Sequence, residues 1–214
     1  EVVTINDNPQ RWFEIKSGYG IYYIPNITAL PEEYTLEFDV LASGINNKTS
    51  GSPSLQVEIV DQATFKRTEY SAEVTLPFGQ YAPIGIQAMN FLKGKGRTIN
   101  SKVQADIRDA VKNRPHVSIA VNKERLRLWV NETKYVDIPK LVPTGNKLQA
   151  IRFHSKGFQD GKAAVFITNI KVAKGGLDLR NTLMSTGKVS TNGILFDSGS
   201  AVIQPQSYGI IRQI

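Results

Sequence analysis

The sequence contains no cysteine and only two histidines, His116 and His154. Without cysteine there can be no disulfide bridge, thiolate nucleophile, cysteine-ligated zinc or iron–sulfur cluster. Two histidines also speak against a multi-histidine metal site, and we expect neither a metal nor a cofactor. No apolar run approaches about 18 residues, which excludes a membrane-spanning helix. These absences favour binding over catalysis.

What the chain has is enough apolar material for one large domain. Its 214 residues are 41% hydrophobic, which is typical of a globular protein that buries a core without covalent staples. The net charge of +7 is uneven, since residues 1–90 carry 5 Lys and Arg against 11 Asp and Glu, and residues 91–214 carry 21 against 8. We interpret this charge first as solvated strand faces and second as a surface for an anionic polymer. The Gly-rich basic stretch at 93–97 is expected to be a surface turn.

The hydrophobic pattern predicts strands. Apolar residues alternate with polar ones over 34–40 and 55–60, and again in two runs joined by a tight turn over 116–130. With 133–138, the last region predicts a three-stranded meander. Roughly ten to twelve strands are expected, which indicates an all-β sandwich or barrel of antiparallel sheets.

Three local predictions are less regular. A hairpin is expected where Ser17-Gly18 separates two β-prone runs, 11–16 and 19–24. Residues 102–112 place apolar side chains at helical spacing and predict one short helix. Gly85, inside an apolar run, suggests a bulge or a close backbone contact.

A change of composition divides the chain. Residues 173–188 are rich in Gly, Ser, Thr and Asn and are typical of a linker. We therefore expect a main domain over 1–174, a linker over 175–188 and a C-terminal stub over 189–214.

The main domain resembles the concanavalin A-like, laminin-G-like jelly roll. The stretches that carry the resemblance are Tyr34-Thr35-Leu36-Glu37-Phe38-Asp39-Val40, the meander from His116 to Ile138, and the late strand 164–172. The resemblance implies a sandwich of two antiparallel sheets with one short helix. This fold hosts lectins, glycosidases, adhesion modules and spacers, so it does not decide the function.

Glycosidase chemistry is the alternative that the fold keeps open. Jelly-roll glucanases use acidic residues close together on one strand, and Glu37 and Asp39 lie on one strand face by their period of two. The pattern of that family needs a third acid, but Leu41 and Ala42 stand at the expected positions. We therefore predict no catalytic residues and interpret the two acids as exposed polar positions.

Glycan binding is the other reading of the fold, because lectin sites stack an aromatic ring on a sugar face. The aromatic residues that could do so are Trp12, Tyr19, Tyr22, Tyr23 and Trp129. Of these, we predict Trp12, Tyr22 and Trp129 as ligand-binding residues. Trp129 alternates onto the side opposite its apolar neighbours, which would turn it away from the core.

The tail resembles the opening of an OmpA-like peptidoglycan-associated domain. The run from Asn192 to Tyr208 contains Phe196-Asp197-x-Gly199-Ser200-Ala201 followed by Pro205, as that family has in its first strand, turn and helix start. The family's peptidoglycan-binding residues lie in later segments, so none is assigned here, and 189–214 are expected to be a truncated stub.

Together these features predict a non-catalytic binding or spacer module of a Gram-negative envelope protein. We expect a periplasmic or outer-membrane location, with peptidoglycan bound through a further C-terminal domain. The expected partner of the jelly roll is a glycan or an envelope protein. Nucleic acid is not an expected partner, and no transmembrane segment is predicted.

Overall fold

The fold is described from a computed structural model that covers residues 2–4, 11–27, 30–143, 148–158, 162–174, 187–188, 194–204, 207 and 211. It contains twelve named strands and one short helix. In chain order they are β1 Val2–Thr4, β2 Arg11–Glu14, β3 Glu33–Ser43, β4 Ser54–Val60, β5 Tyr70–Pro77, β6 Ile86–Leu92, β7 Asn100–Val103, α1 Arg108–Lys112, β8 His116–Asn122, β9 Arg125–Val130, β10 Thr133–Ile138, β11 Ala150–Lys156 and β12 Ala164–Lys174. Within this part of the chain, no helix is long and apolar enough to cross a membrane.

The strands form two antiparallel sheets that pack face to face. One sheet has seven strands in the order β1-β2-β12-β3-β8-β9-β10, and the other has five in the order β11-β4-β5-β6-β7. Neighbours in each sheet are antiparallel throughout. The predicted all-β sandwich of two antiparallel sheets with one short helix is therefore confirmed.

The core lies between the sheets because each central strand turns its apolar positions inward. In β3, Leu36, Phe38 and Val40 are at most 1% exposed. Phe38 meets Phe153 of β11 edge to face, with ring centroids 5.0 Å apart. Burial of each such side chain contributes roughly 1.5–3 kcal/mol, so the alternation that predicts the strands also holds the sheets together.

The meander is present as predicted. β8 pairs with β9 and β9 with β10, and the turns place Lys123 and Asn131 in the left-handed region with φ near +52°. Asn tolerates this conformation better than most residues, which suits it to the second turn.

The predicted hairpin over 11–24 is wrong. β2 pairs with β1 and β12, while the run after Ser17-Gly18 pairs with β11. The amide of Tyr23 donates to the carbonyl of Phe153 at 2.9 Å, and the reverse bond measures 2.8 Å. This run pairs with β11 at the edge of the other sheet, and local sequence patterns do not indicate a partner so far along the chain.

The predicted helix is shorter than expected. Its first two residues, 102 and 103, belong to β7, which covers the edge of β6, and only Arg108–Lys112 are helical. The helical spacing was real for Ile107 and Val111, which are both 2% exposed. Gly85 makes the expected close contact, because a Cβ there would lie 2.6 Å from the carbonyl oxygen of Val103.

The tail contains a tight turn in its described part. Phe196 and Ile203 form a β-bridge, and Gly199 between them has φ near +70°. Residues 175–186 and 189–193 lie outside the described residues, so the division into domain, linker and stub stays a prediction.

Glu37 and Asp39 of β3 belong to a polar cluster on the outward face of the seven-stranded sheet. His116 Nδ1 lies 2.7 Å from Oδ1 of Asp39, and the amide of Asn169 donates to Oδ2 of the same residue at 2.7 Å. The hydroxyl of Ser118 donates to Glu37 at 3.3 Å. Glu37 is 8% exposed, so it is a buried structural acid and not the exposed position that the sequence predicted.

The charge of His116 stabilises this cluster. Burial lowers the pKa of His116, but the hydrogen bond to Asp39 and the charges of both acids outweigh burial and raise the pKa to about 9. Nε2 is 3.9 Å from Oε1 of Glu37, so that acid acts through charge. His116 is therefore protonated at neutral pH, between two carboxylates.

We predict that stability falls in alkaline solution as His116 loses its proton. The raised pKa adds roughly 3 kcal/mol to the free energy of unfolding. This contribution is complete below the ordinary pKa of 6.5 and is lost as the pH rises through about 9. Urea unfolding should show the free-energy gap between wild type and His116→Asn narrowing by about that amount between pH 6 and pH 10. An NMR titration of the His116 ring with a midpoint near 6.5 would contradict this account.

Candidate functional site

A cleft of about 700 Å³ lies on the outward face of the five-stranded sheet. The floor of the cleft consists of side chains that alternate along each strand with the core residues and therefore point away from the core. Register then places Arg152, Glu58, Glu73 and Met89 in one row across β11, β4, β5 and β6. The row is a consequence of strand pairing, and it brings together residues as far apart in sequence as Glu58 and Arg152, which are separated by 94 positions.

Two loops form the walls of the cleft. The segment 17–23, which runs along β11, supplies Tyr19 and Tyr22, and the loop 61–69 between β4 and β5 supplies Phe65 and Arg67. Backbone carbonyls of both loops are bound by floor residues. The cleft is therefore held open by hydrogen bonds to its own walls.

Arg152 connects the floor to both walls. Its Nε donates to Oε2 of Glu58 at 2.9 Å and its Nη2 binds the same carboxylate, while Nη1 donates to the carbonyls of Thr64 and Lys66 at 3.0 and 2.9 Å. The guanidinium also lies 4.3 Å from the ring centroid of Tyr22. Arg152 is 4% exposed and Glu58 5%, so this ion pair is buried.

His154 fixes the segment 17–23 from the same strand. Its Nε2 is 2.9 Å from the carbonyl oxygen of Gly18, which can only accept, so Nε2 carries the proton. Burial lowers the pKa of His154, and the ring is neutral at pH 7. It also packs against Tyr22, with ring centroids 4.8 Å apart.

Glu73 faces Glu58 directly across β4 and β5. Burial, followed by the charge of Glu58, raises the pKa of Glu73. The side-chain amide of Gln56 donates a hydrogen bond to Glu73 and lowers that pKa in part. Arg152 therefore stabilises Glu58, and the side-chain amide of Gln56 stabilises Glu73.

Aromatic rings stand beside these polar groups. Tyr19 is fully exposed and Phe65 is 65% exposed, although neither is required to cover the core. Phe91 of β6 lies under the guanidinium of Arg67, whose carbon is 4.7 Å from the ring centroid. A cleft with apolar faces and a few converging polar groups has the composition of a small-ligand site.

The structure brings only some of the aromatic candidates to this cleft. Tyr19 and Tyr22 line it, whereas Tyr23 packs against Phe153 in the core. Trp12 and Trp129 belong to the seven-stranded sheet and are 1% and 8% exposed. The three predicted ligand-binding residues Trp12, Tyr22 and Trp129 are therefore not gathered in one place, and only Tyr22 lies at the cleft.

Sequence reasoning missed the polar floor, although one signal was available. The alternation that assigns Leu55, Val57 and Ile59 to the core assigns Gln56 and Glu58 to the opposite face. What local sequence could not supply is that β11 pairs with β4. Among the described residues, no group of three His, Asp or Glu side chains could hold a metal ion.

Comparisons with known proteins reveal the fold alone. No family model and no curated protein matches the sequence. Among solved structures, a family 16 endo-glucanase from Bacteroides ovatus is similar over 80% of this chain and 84% of its own, with 9% identity and a TM-score of 0.55. A legume lectin-like domain from Entamoeba histolytica is similar over 82% and 87%, with 12% identity and a TM-score of 0.51. Sheep galectin-11 is similar over 74% and 98%, with 12% identity and a TM-score of 0.50.

These neighbours share a concanavalin A-like jelly roll, and at 9–12% identity they establish architecture and nothing finer. The fold is common to lectins and to a glycoside hydrolase. Which of these this chain resembles in function must be argued from the cleft itself.

We predict that Arg152→Met lowers the free energy of unfolding by about 3 kcal/mol, because Glu58 is left as a buried unpaired charge. Amide hydrogen exchange in the loop 61–69 should also accelerate, since two carbonyls lose their donor. Lys102→Met, at an exposed position of β7 in the same sheet, is the matched control and should cost about 0.5 kcal/mol or less.

The double variant Arg152→Met with Glu58→Met separates the two effects. It should regain most of the stability while the loop still exchanges rapidly. If Arg152→Met and Lys102→Met lower the free energy of unfolding equally, the central place that we give to the Arg152 ion pair is wrong.

Proposed function

We propose that this chain is a non-catalytic carbohydrate-binding module and that the cleft on its five-stranded sheet holds a glycan. The observation that carries the proposal is the combination of exposed aromatic rings with buried, fixed hydrogen-bonding groups in one cleft. The lectin neighbours support it at the level of the fold.

The composition of the cleft suits the two-sided chemistry of a sugar ring. Tyr19 and Phe65 offer apolar faces to the C–H groups of a pyranose, and amphipathic or apolar rings bury large areas at little entropic cost. Glu73, Gln56 and the neutral His154 offer acceptors and donors to hydroxyl groups. A cleft of about 700 Å³ has room for a short oligosaccharide.

The floor is ordered before any ligand arrives. Arg152, Glu58 and Gln56 are at most 5% exposed and bind one another, the loops or the acid beside them. Binding then pays little to immobilise these side chains, which favours affinity for a polar ligand.

We expect the exposed aromatic residues of the cleft to dominate affinity. Phe65→Ala or Tyr19→Ala should weaken binding of a glycan retained on an array by about tenfold, as measured by isothermal titration calorimetry. Tyr81, which is 84% exposed but does not line the cleft, is the matched control, and Tyr81→Ala should bind like wild type. Equal losses in all three variants, or no retained glycan, would overturn the proposal.

Hydrolysis is the second candidate function, favoured by the opposed carboxyl groups of Glu58 and Glu73. Directly opposed side chains have Cβ atoms roughly 5 Å apart, so their carboxyl groups can reach the spacing of about 5 Å that retaining glycosidases use. The raised pKa of Glu73 would suit a general acid. Glu58, however, is bound by two nitrogens of Arg152, which makes it a poor nucleophile.

We therefore expect no turnover of any glycan that the chain binds. Incubation of the wild-type protein with that glycan should release no reducing ends, while Glu73→Gln retains binding. If the wild-type protein releases reducing ends and Glu73→Gln does not, the chain is an enzyme and our proposal of a non-catalytic module is wrong.

We also propose that the chain belongs to a Gram-negative envelope protein, periplasmic or outer-membrane, that attaches to peptidoglycan. Support comes from the OmpA-like run in the tail, whose Gly199 adopts the positive φ that a turn needs. The full-length protein should co-sediment with purified peptidoglycan sacculi, and a version that ends at residue 188 should stay in the supernatant. Co-sedimentation of both would assign attachment to the jelly roll instead.

A further inference from the structure

The cleft contains more positive than negative charge. Its ionisable side chains, apart from tyrosines and the neutral His154, are the four basic residues Arg67, Arg97, Arg152 and Lys156 and the two acids Glu58 and Glu73. A site for a neutral sugar needs no surplus of positive charge. The kind of ligand that suits the cleft therefore depends on which of these charges are already neutralised within the protein.

Both acids are already compensated within the protein. Glu58 is neutralised by Arg152 through two guanidinium nitrogens. Glu73 accepts a hydrogen bond from the side-chain amide of Gln56, while burial and the neighbouring Glu58 raise its pKa. Even with both acids ionised, the four cations leave the cleft with a surplus of positive charge.

The other three cations are positioned without a counter-ion. Among the described residues, Arg67, Arg97 and Lys156 form no ion pair. Lys156 Nζ donates to Oε1 of Gln56 at 2.6 Å, and Arg67 stacks on the ring of Phe91. Both are therefore held in position by uncharged groups and not by an ion pair.

Their charges converge on the floor of the cleft. Lys156 and Arg97 both act on the carboxyl of Glu73, although one comes from β11 and the other from the turn between β6 and β7. All three cations are exposed and line the cleft, where a ligand can reach them.

We propose that the ligand of this cleft is an acidic saccharide, with its anionic group bound by Arg67, Arg97 and Lys156. This inference rests on the proposed glycan-binding function and names its substrate class. Guanidinium groups match the two oxygens of a carboxylate or sulfate, and hydrogen bonds to charged groups are about twice as strong as neutral ones. A ring that stacks on Phe65 or Tyr19 could at the same time direct its acidic substituent to these cations.

The test compares ligands that differ only in charge. Binding of the full chain to oligogalacturonides and to their fully methyl-esterified counterparts is measured by calorimetry, and dextran sulfate is compared with dextran of the same length. We expect at least one acidic member to bind about tenfold or more tightly than its neutral match, with an affinity that falls as salt rises. The pair that shows the preference distinguishes carboxylate from sulfate recognition.

Variants then locate the charge effect. Arg97→Gln and Arg67→Gln should each reduce the preference for the acidic ligand by about tenfold while binding of the neutral match is unchanged. Arg125→Gln, which removes the same charge from the other sheet, is the control and should leave the preference intact.

The outcomes separate this inference from the function on which it rests. Equal binding of acidic and neutral ligands that still depends on Phe65 overturns the acidic specificity and leaves glycan binding standing. A preference that Arg125→Gln reduces as much as Arg97→Gln also overturns it, since the net charge would then be responsible. Failure of every ligand, charged or neutral, contradicts both.

Discussion

The guanidinium of Arg152 is the point on which the cleft depends. It is a fully charged group at 4% exposure, and it is tolerable there only because Glu58, two carbonyls of the loop 61–69 and the ring of Tyr22 surround it. Removal of Glu58 would leave this buried charge uncompensated. The floor and the walls must therefore form together, and the cleft that results is set before a ligand binds.

The two sheets use buried charge in opposite ways. On the seven-stranded sheet, the charge of His116 lies between Asp39 and Glu37, and His116 and Glu37 are buried, so this cluster contributes stability. On the five-stranded sheet, the acids are satisfied internally, while Arg67 and Arg97 remain exposed and without ion pairs among the described residues. We infer that recognition belongs to the second sheet because Arg67, Arg97 and Lys156 line one cleft there.

Sequence reasoning predicts the architecture well because its evidence is local. The period-two pattern of Tyr34 to Val40 is the same whether its partners are known or not, and it assigns the core face correctly. The cleft is a different matter, since its row of residues depends on the pairing of β11 with β4, which no local pattern contains. Trp12 illustrates the limit, because alternation shows which way a ring points but not what covers it.

The measurement that tests the account most directly is an NMR titration of the full chain with a glycan retained on the array. The account predicts that chemical shifts change for the amides of 56–58, 65–73 and 152–156, with little change over 116–137 on the other sheet. Changes confined to 116–137, around Trp129 and His116, would contradict it, because the ligand would then occupy the face that we assign to stability.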